Sequence, residues 1–180
     1  MTFLAFPRRA VALMVSTVLA GTVLGLLAQH QNHPSTVTPL VDGSKNPALI
    51  SDQTAIKIFV LSISEPPDAT TEQLSRLKAK LLRVGLSDRD TATLIAHVTA
   101  SHGQLVEYQA QGAVLAKRLQ MVPDETTKRE LVGVQMQIER LAASTYSSIL
   151  AGVSPDGAAK LGNHISYIKT KIKIIPPPKM

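Results

Sequence analysis

Apolar residues recur at helical spacing through the second half of the chain. Within residues 87–120 they alternate in steps of four and three, beginning at Leu94 and ending at Leu119. This is the spacing of a helix that packs along one apolar seam. A second seam of the same kind runs from Leu131 to Ile149. The pattern therefore predicts two long helices that follow each other in the chain.

A very short connection separates these two helices. Val122, Pro123 and Asp124 break the apolar pattern, and Asp124 can cap the helix that follows. Two long helices joined by so few residues must run antiparallel, as a hairpin packed seam to seam.

Shorter helices are predicted on either side of the hairpin. Each begins at a residue whose side chain can accept a hydrogen bond from the first turn of a helix, and the last of them has proline at its first position. The predicted N-caps of the chain are Ser51 or Asp52, Thr70, Ser87, Asp124 and Ser154.

The segment 55–63 fits two structures. Phe59 and Ile63 lie at helical spacing, but Ile58, Val60 and Ile63 are β-branched and equally typical of a buried strand. The proline pair after Glu65 ends the segment in either case. The sequence leaves helix and strand open here.

The N-terminus has the layout of an export signal. Arg8 and Arg9 precede residues 10–28, which carry no charge. We expect residues 1–28 to be a signal peptide or an N-terminal membrane anchor through residues 10–28. Positive charge before the apolar segment places the remainder on the non-cytoplasmic side, periplasmic or extracellular.

These patterns together predict an all-α fold. It is a small bundle of four or five helices built on a long antiparallel hairpin and preceded by the signal or anchor helix. We expect a flexible linker over residues 29–50, a helical domain over residues 51–168, and a tail over residues 169–180 that ends in prolines.

Composition agrees with one folded domain and excludes several chemistries. The chain has 180 residues, 44% of them hydrophobic, which suffices for one ordinary core. With no cysteine, disulfides, thiolate metal sites and cysteine nucleophiles are excluded. The net charge of +6 falls to +4 without the two arginines of residues 1–28, an excess too mild to indicate a nucleic-acid partner.

The motifs of common enzymes and cofactor sites are also missing from the sequence. No glutamate has a histidine three positions later, so the di-iron bundle pattern is absent. Neither a phosphate-binding glycine loop nor a G-x-S-x-G motif occurs. His97 and His102 lie five apart on one helix and cannot share a metal ion. We expect no catalytic residue, no metal and no cofactor.

The tail is the most unusual local feature. Its lysines alternate with isoleucines, which suits an arm that lies on an anionic membrane surface or adds to the edge of a partner's sheet. Equally, the isoleucines could pack on the bundle while the lysines stay in water. The candidate contact residues are Lys169, Lys171, Ile172, Lys173, Ile174 and Ile175.

The sequence favours a non-enzymatic function. We expect a binding or adaptor protein of the cell envelope that contacts an unknown protein partner through its hairpin or its tail. A holdase-like helical chaperone of the periplasm is the alternative. An enzyme ranks third, because helical bundles that carry chemistry usually show paired acids or histidines.

Overall fold

The structure, a computed structural model, describes residues 41–174. Of these, 79% are helical, which confirms the all-α class. The proposed signal or anchor segment and residues 175–180 of the tail lie outside the described residues. The five helices are α1 (Asp52–Ile63), α2 (Thr71–Val84), α3 (Asp88–Met121), α4 (Glu125–Gly152) and α5 (Pro155–Lys169).

The helices begin where the capping residues predict. The side chains of Ser51, Thr70, Ser87, Asp124 and Ser154 each accept a hydrogen bond from a backbone N–H of the first turn. Thr70 forms a full capping box, since the side chain of Gln73 also accepts from the Thr70 N–H at 2.8 Å.

The segment that the sequence left open is a helix. Its apolar residues at helical spacing, Ala55, Phe59, Val60 and Ile63, are all buried on one face of α1. The face packs against α4 and α5. The Ser51 cap and the packing against α4 and α5 outweigh the strand preference of the β-branched residues, because tertiary packing overrides weak intrinsic preference.

Helices α3 and α4 form the predicted antiparallel hairpin. Gly152, at the end of α4, lies beside Thr93 and His97 near the start of α3. At about 1.5 Å per residue, α3 is roughly 51 Å long, whereas α1, α2 and α5 are each less than half of that. The shorter helices therefore cover only one end of the hairpin.

That covered end holds the core of the protein. Phe59 of α1 presents its ring edge-on to Tyr146 of α4, with centroids 6.3 Å apart, and to His164 of α5 at 5.6 Å. Leu81 and Leu161 are fully buried around them. We call this end of the molecule, with all five helices, the base.

The base begins earlier in the chain than the sequence predicts. Residues 41–50, placed in the flexible linker, form strand β1 (Val41–Asp42) and a 3₁₀ turn (Pro47–Leu49), and Ile50 is fully buried. Strand β1 pairs antiparallel with β2 (Lys173–Ile174). The composition of residues 41–50 is typical of a linker. Only the pairing of β1 with β2, which lies far away in the sequence, shows that this segment is folded.

Gly43 is required where β1 turns away. Its N–H donates to the Ile172 carbonyl at 2.8 Å, and a Cβ at this position would collide with the Lys169 carbonyl. The backbone approach is so close that only glycine fits.

Within residues 41–174, the structure has no helix that combines the length and the apolarity needed to cross a membrane.

Candidate functional site

The hairpin extends beyond the base as a two-helix arm, which we define as residues 106–137. Within the arm, each helix is buried only along its seam with the other, at Leu119 and Leu131 for example. Val114 is 67% exposed and Met121 68%. Single exposed apolar side chains are ordinary on a protein surface, so a contact surface has to be argued from the groove that Val114 lines.

One face of the arm carries an open groove between α3 and α4. Its volume is about 660 Å³, and its lining is mostly apolar or uncharged. Helix α3 supplies one wall and α4 the other. The lining residues are Ala110, Gln111, Val114, Leu115, Glu130, Gly133, Val134 and Gln137.

Both walls lie mostly in stretches of sequence without charge, and Glu130, at one end of the α4 wall, is the charged exception among the lining residues. Residues 108–116 of α3 and residues 131–138 of α4 contain no Asp, Glu, Lys or Arg. An exposed helix normally carries charged residues on its solvent face. Two uncharged stretches that face each other across a groove are typical of a contact surface.

Charged residues bound the groove at both ends of its α3 wall. Glu107 and Arg118 are exposed and lie eleven residues apart, about three helical turns, so they share one face of α3. The midpoint between them coincides with the midpoint of the α3 residues that line the groove. The wall is therefore an uncharged patch with an acid at one end and a base at the other.

The structure places the predicted tail residues against the base. Lys169 ends α5 and donates to Asp52 at 2.8 Å, and Lys173 lies 3.6 Å from Asp42. The ammonium of Lys171 lies 5.0 Å from the centroid of the Tyr167 ring. The tail cations thus have intramolecular partners of different kinds.

The isoleucines of the tail are divided. Ile172 is buried, and Ile174 is half-buried opposite Val41 in the two-stranded pairing. Ile175 lies outside the described residues. The strand edge that the sequence offered to a partner is, for residues 173–174, occupied by β1 of the same chain. A contact with a partner through the tail stays a prediction.

The three histidines in the described part of the chain, His97, His102 and His164, are dispersed. His102 shares a 2.9 Å hydrogen bond between its Nδ1 and the Ser64 hydroxyl, and His97 lies beside Gly152. His164 is packed between Phe59 and Tyr167. Among residues 41–174, no three metal-binding side chains come together.

A buried carboxylate joins the starts of two helices. Asp90, in the first turn of α3, accepts hydrogen bonds from the Ser154 N–H, the Ser154 hydroxyl and the Ser87 hydroxyl, each at 2.8 Å. These donors, the Ser154 N–H foremost, hold the pKa of Asp90 below its usual value. Its role is structural, since it closes the base.

Sequence reasoning missed the groove, although a signal was present. The apolar seam of each helix predicts which face is buried, whereas the groove depends on how much of the two facing helices stays open beside the seam, as it does at Leu115 and Val134. The two uncharged stretches, at equal distances from the Pro123 turn, are visible in the sequence. Absence of charge on all sides of a long helix was the signal for an additional contact.

Comparison with known proteins adds no assignment to this geometry. No protein-family model, no curated protein and no solved structure is significantly similar to the chain.

Proposed function

We propose that the chain is a non-enzymatic helical binding protein of the cell envelope and that it pairs with a second copy of itself through the arm. The observation that carries this proposal is the partly apolar groove, with Glu130 as its one charged lining residue, on a helix pair that no other described element covers. Two such arms, packed groove to groove, make a four-helix bundle.

The positions of the charges favour a second copy as the occupant. Consider two copies whose α3 helices run antiparallel, related by a two-fold axis through the midpoint of the groove. The numbers of two facing α3 residues then add up to 225. Glu107 then faces Arg118, and Gln111 faces Val114. An isologous contact of this kind repeats each favourable pair twice.

The envelope location depends on residues 1–28, which are outside the described residues. An N-terminal segment with two arginines before an uncharged stretch supports export. The intact mass of the protein produced with its own N-terminus would distinguish a cleaved signal from a retained anchor. Pairing through the arm is compatible with both.

The absence of cysteine makes self-association directly testable. Gln111→Cys places a single thiol in the groove of the full-length chain. With a second copy seated there, the 111 positions of the two chains lie within reach of a short bismaleimide. We expect a crosslinked dimer on a denaturing gel, at protein concentrations where random collision gives none.

Two matched variants control this experiment. Gln120→Cys lies on the same helix, is exposed and does not line the groove, so it should crosslink much less. Adding Val114→Glu to Gln111→Cys should abolish the dimer, because it would bury an unpaired charge. Equal crosslinking at positions 111 and 120, or none at either, would overturn the pairing.

A holdase-like chaperone is the second candidate. Its specific support is the set of exposed flexible or apolar side chains on the arm, including Met121, Val132 and Met136. Methionine surfaces adapt to many partners. We expect a chaperone to suppress aggregation of an unrelated unfolded protein, such as reduced insulin, at stoichiometric ratio, and no suppression would remove this candidate.

A further inference from the structure

A second feature of the base is a cleft between α2 and α5, away from the arm. Its volume is about 510 Å³. Helix α5 supplies residues at positions i, i+3, i+4 and i+7, which share one face of a helix: Lys160, Asn163, His164 and Tyr167. Helix α2 supplies Lys80 and Arg83, with Val84 beneath them.

The lining of this cleft is rich in hydrogen-bond donors and has no acid. Lysine and arginine side chains donate only, and asparagine and histidine can each donate. Lys160 pairs with Asp156 at 2.7 Å, but no carboxylate lies within ion-pair distance of Lys80 or Arg83 among residues 41–174. Within the described part of the chain, the cations of Lys80 and Arg83 are therefore not held in an ion pair.

The ionisation of two groups reflects this environment. The pKa of Lys80 is lowered by burial, which outweighs the opposing charge of Glu65. Burial first, and then the charge of Lys80, lowers the pKa of His164. Burial alone explains the direction of the Lys80 shift, and burial with a neighbouring cation explains that of His164.

The lining of the cleft also includes an aromatic ring, that of Tyr167. Tyr167 is 55% exposed and stacks on His164 with centroids 6.0 Å apart. The ammonium of Lys171 is 5.0 Å from the Tyr167 centroid, but Lys171 lies outside the cleft lining.

We propose that the cleft between α2 and α5 binds a phosphate group, with Lys80 and Arg83 on one side and Lys160, Asn163 and His164 on the other. A tetrahedral anion has enough acceptor oxygens to meet donors from two helices at once. The phosphate belongs either to a soluble phosphate ester or to an anionic lipid headgroup. This proposal is independent of pairing through the arm.

The imidazole of His164 reports binding directly. We would follow its NMR resonance against pH in the full-length chain in neutral detergent, with inorganic phosphate or glycerol phosphate added at constant ionic strength. A bound anion favours the imidazolium, so the pKa of His164 should rise with phosphate and not with chloride. Absence of a phosphate-dependent shift would overturn the proposal.

Variants of the α2 cations test the geometry. Hydrogen bonds to charged groups are each worth about a tenfold change in affinity or more, so Arg83→Gln should weaken phosphate about tenfold, and Lys80→Gln with Arg83→Gln about a hundredfold. The Lys80 ammonium also donates to Ser62 of α1, so Lys80→Gln could disturb that helix. Arg83 is exposed, so we expect Arg83→Gln to fold and to test the site by itself.

The matched control removes the same charge elsewhere. Lys78 and Lys117 are exposed and lie outside the cleft, so the double variant Lys78→Gln with Lys117→Gln should bind phosphate like the parent chain. Equal weakening in this control would show that net charge alone attracts the anion, and would overturn the site.

A flotation experiment distinguishes the two sources of phosphate. The full-length chain is mixed with vesicles of phosphatidylcholine, or of phosphatidylcholine with phosphatidylglycerol. Stronger flotation with the anionic vesicles that is lost in the Lys80→Gln, Arg83→Gln variant supports a lipid headgroup. Equal flotation with both vesicles, together with the His164 response, supports a soluble phosphate ester.

Discussion

At the scale of single residues, Asp90 shows how one side chain can connect distant parts of the chain. Its carboxylate accepts from Ser87, the N-cap of its own helix, and from Ser154, sixty-four positions away. Ser154 meanwhile caps α5 by accepting from the Gly157 N–H at 3.0 Å. The starts of α3 and α5 therefore share one hydrogen-bonded network, which is strongest when Asp90 is ionised.

The stability of the protein should fall in acid through this network. The pKa of Asp90 is lowered in the folded state, so its contribution is complete above the unfolded pKa of about 3.9 and is lost as pH falls through the folded pKa. Asp90→Asn removes an acceptor and should lower the urea midpoint at neutral pH.

The difference between parent and Asp90→Asn should shrink as the pH falls below that unfolded pKa and through the lower folded pKa, because the parent carboxyl becomes protonated first in the unfolded and then in the folded state. Urea unfolding followed by circular dichroism from neutral to acidic pH measures it. A difference between the two proteins that does not change with pH would contradict the role of ionised Asp90.

Two glycines of α5 should respond oppositely to the same substitution. A Cβ at Gly157 would lie 2.7 Å from the Asp90 Oδ2, whereas at Gly162 it meets nothing within 4 Å. Gly157→Ala should therefore destabilise the fold, and Gly162→Ala should stabilise it by up to about 1 kcal/mol, the helix preference of alanine. Thermal unfolding compares them, and equal effects would refute the close contact.

At the scale of elements, α3 is one helix in two environments. Near Leu94 and Val98 it is buried by the base, but along the arm only α4 packs on it. Local stability follows the number of packed apolar neighbours. A continuous hydrogen-bonded helix can therefore differ strongly in stability along its length.

Hydrogen exchange should resolve this difference. We expect backbone amides of residues 108–119 to exchange faster than those of residues 94–105 in the same helix, as measured by mass spectrometry of peptide fragments. Residues 131–138 of α4 should follow the arm. Pairing of two arms would slow exchange in residues 108–119 and so reduce the difference between the two parts of α3. Val114→Glu, which prevents pairing, should therefore increase that difference. Equal protection of both parts of α3 in this variant would contradict a weakly packed arm.

At the scale of the whole molecule, the two ends of the described chain meet. Strands β1 and β2 bring residues 41–42 and 173–174 together over the base, and Ile172 is buried beside them. Part of the predicted linker and part of the predicted tail are thus components of the folded body. Deletion of residues 169–180 would remove core packing as well as a basic surface.

A pair of neighbouring substitutions separates these two effects. Ile172→Ala should destabilise the protein by about 2–4 kcal/mol, the usual cost of truncating a buried isoleucine. Lys171→Ala, at an exposed position, should change stability by less than about 0.5 kcal/mol. Chemical unfolding of both variants checks this, and a neutral Ile172→Ala would place the tail outside the core.

Local signals in the sequence were sufficient for the helices. The caps at Thr70, Ser87 and Ser154 and the break at Pro123 lie where the structure has helix boundaries. Capping, proline geometry and apolar spacing act within a few residues, so a single chain reveals them. The hairpin followed too, because a connection of three residues leaves no other arrangement.

Tertiary structure alone decided the features that depend on distant residues. It selected a helix for α1, paired β1 with β2, joined Asp90 to Ser154, and brought Lys80 and His164 to one cleft. Each of these features depends on which parts of the chain pack together. An apolar seam in the sequence predicts that a helix face is buried but does not identify the element that packs against it. The sequence by itself thus determined the elements and their boundaries, and packing determined the surfaces on which both proposals rest.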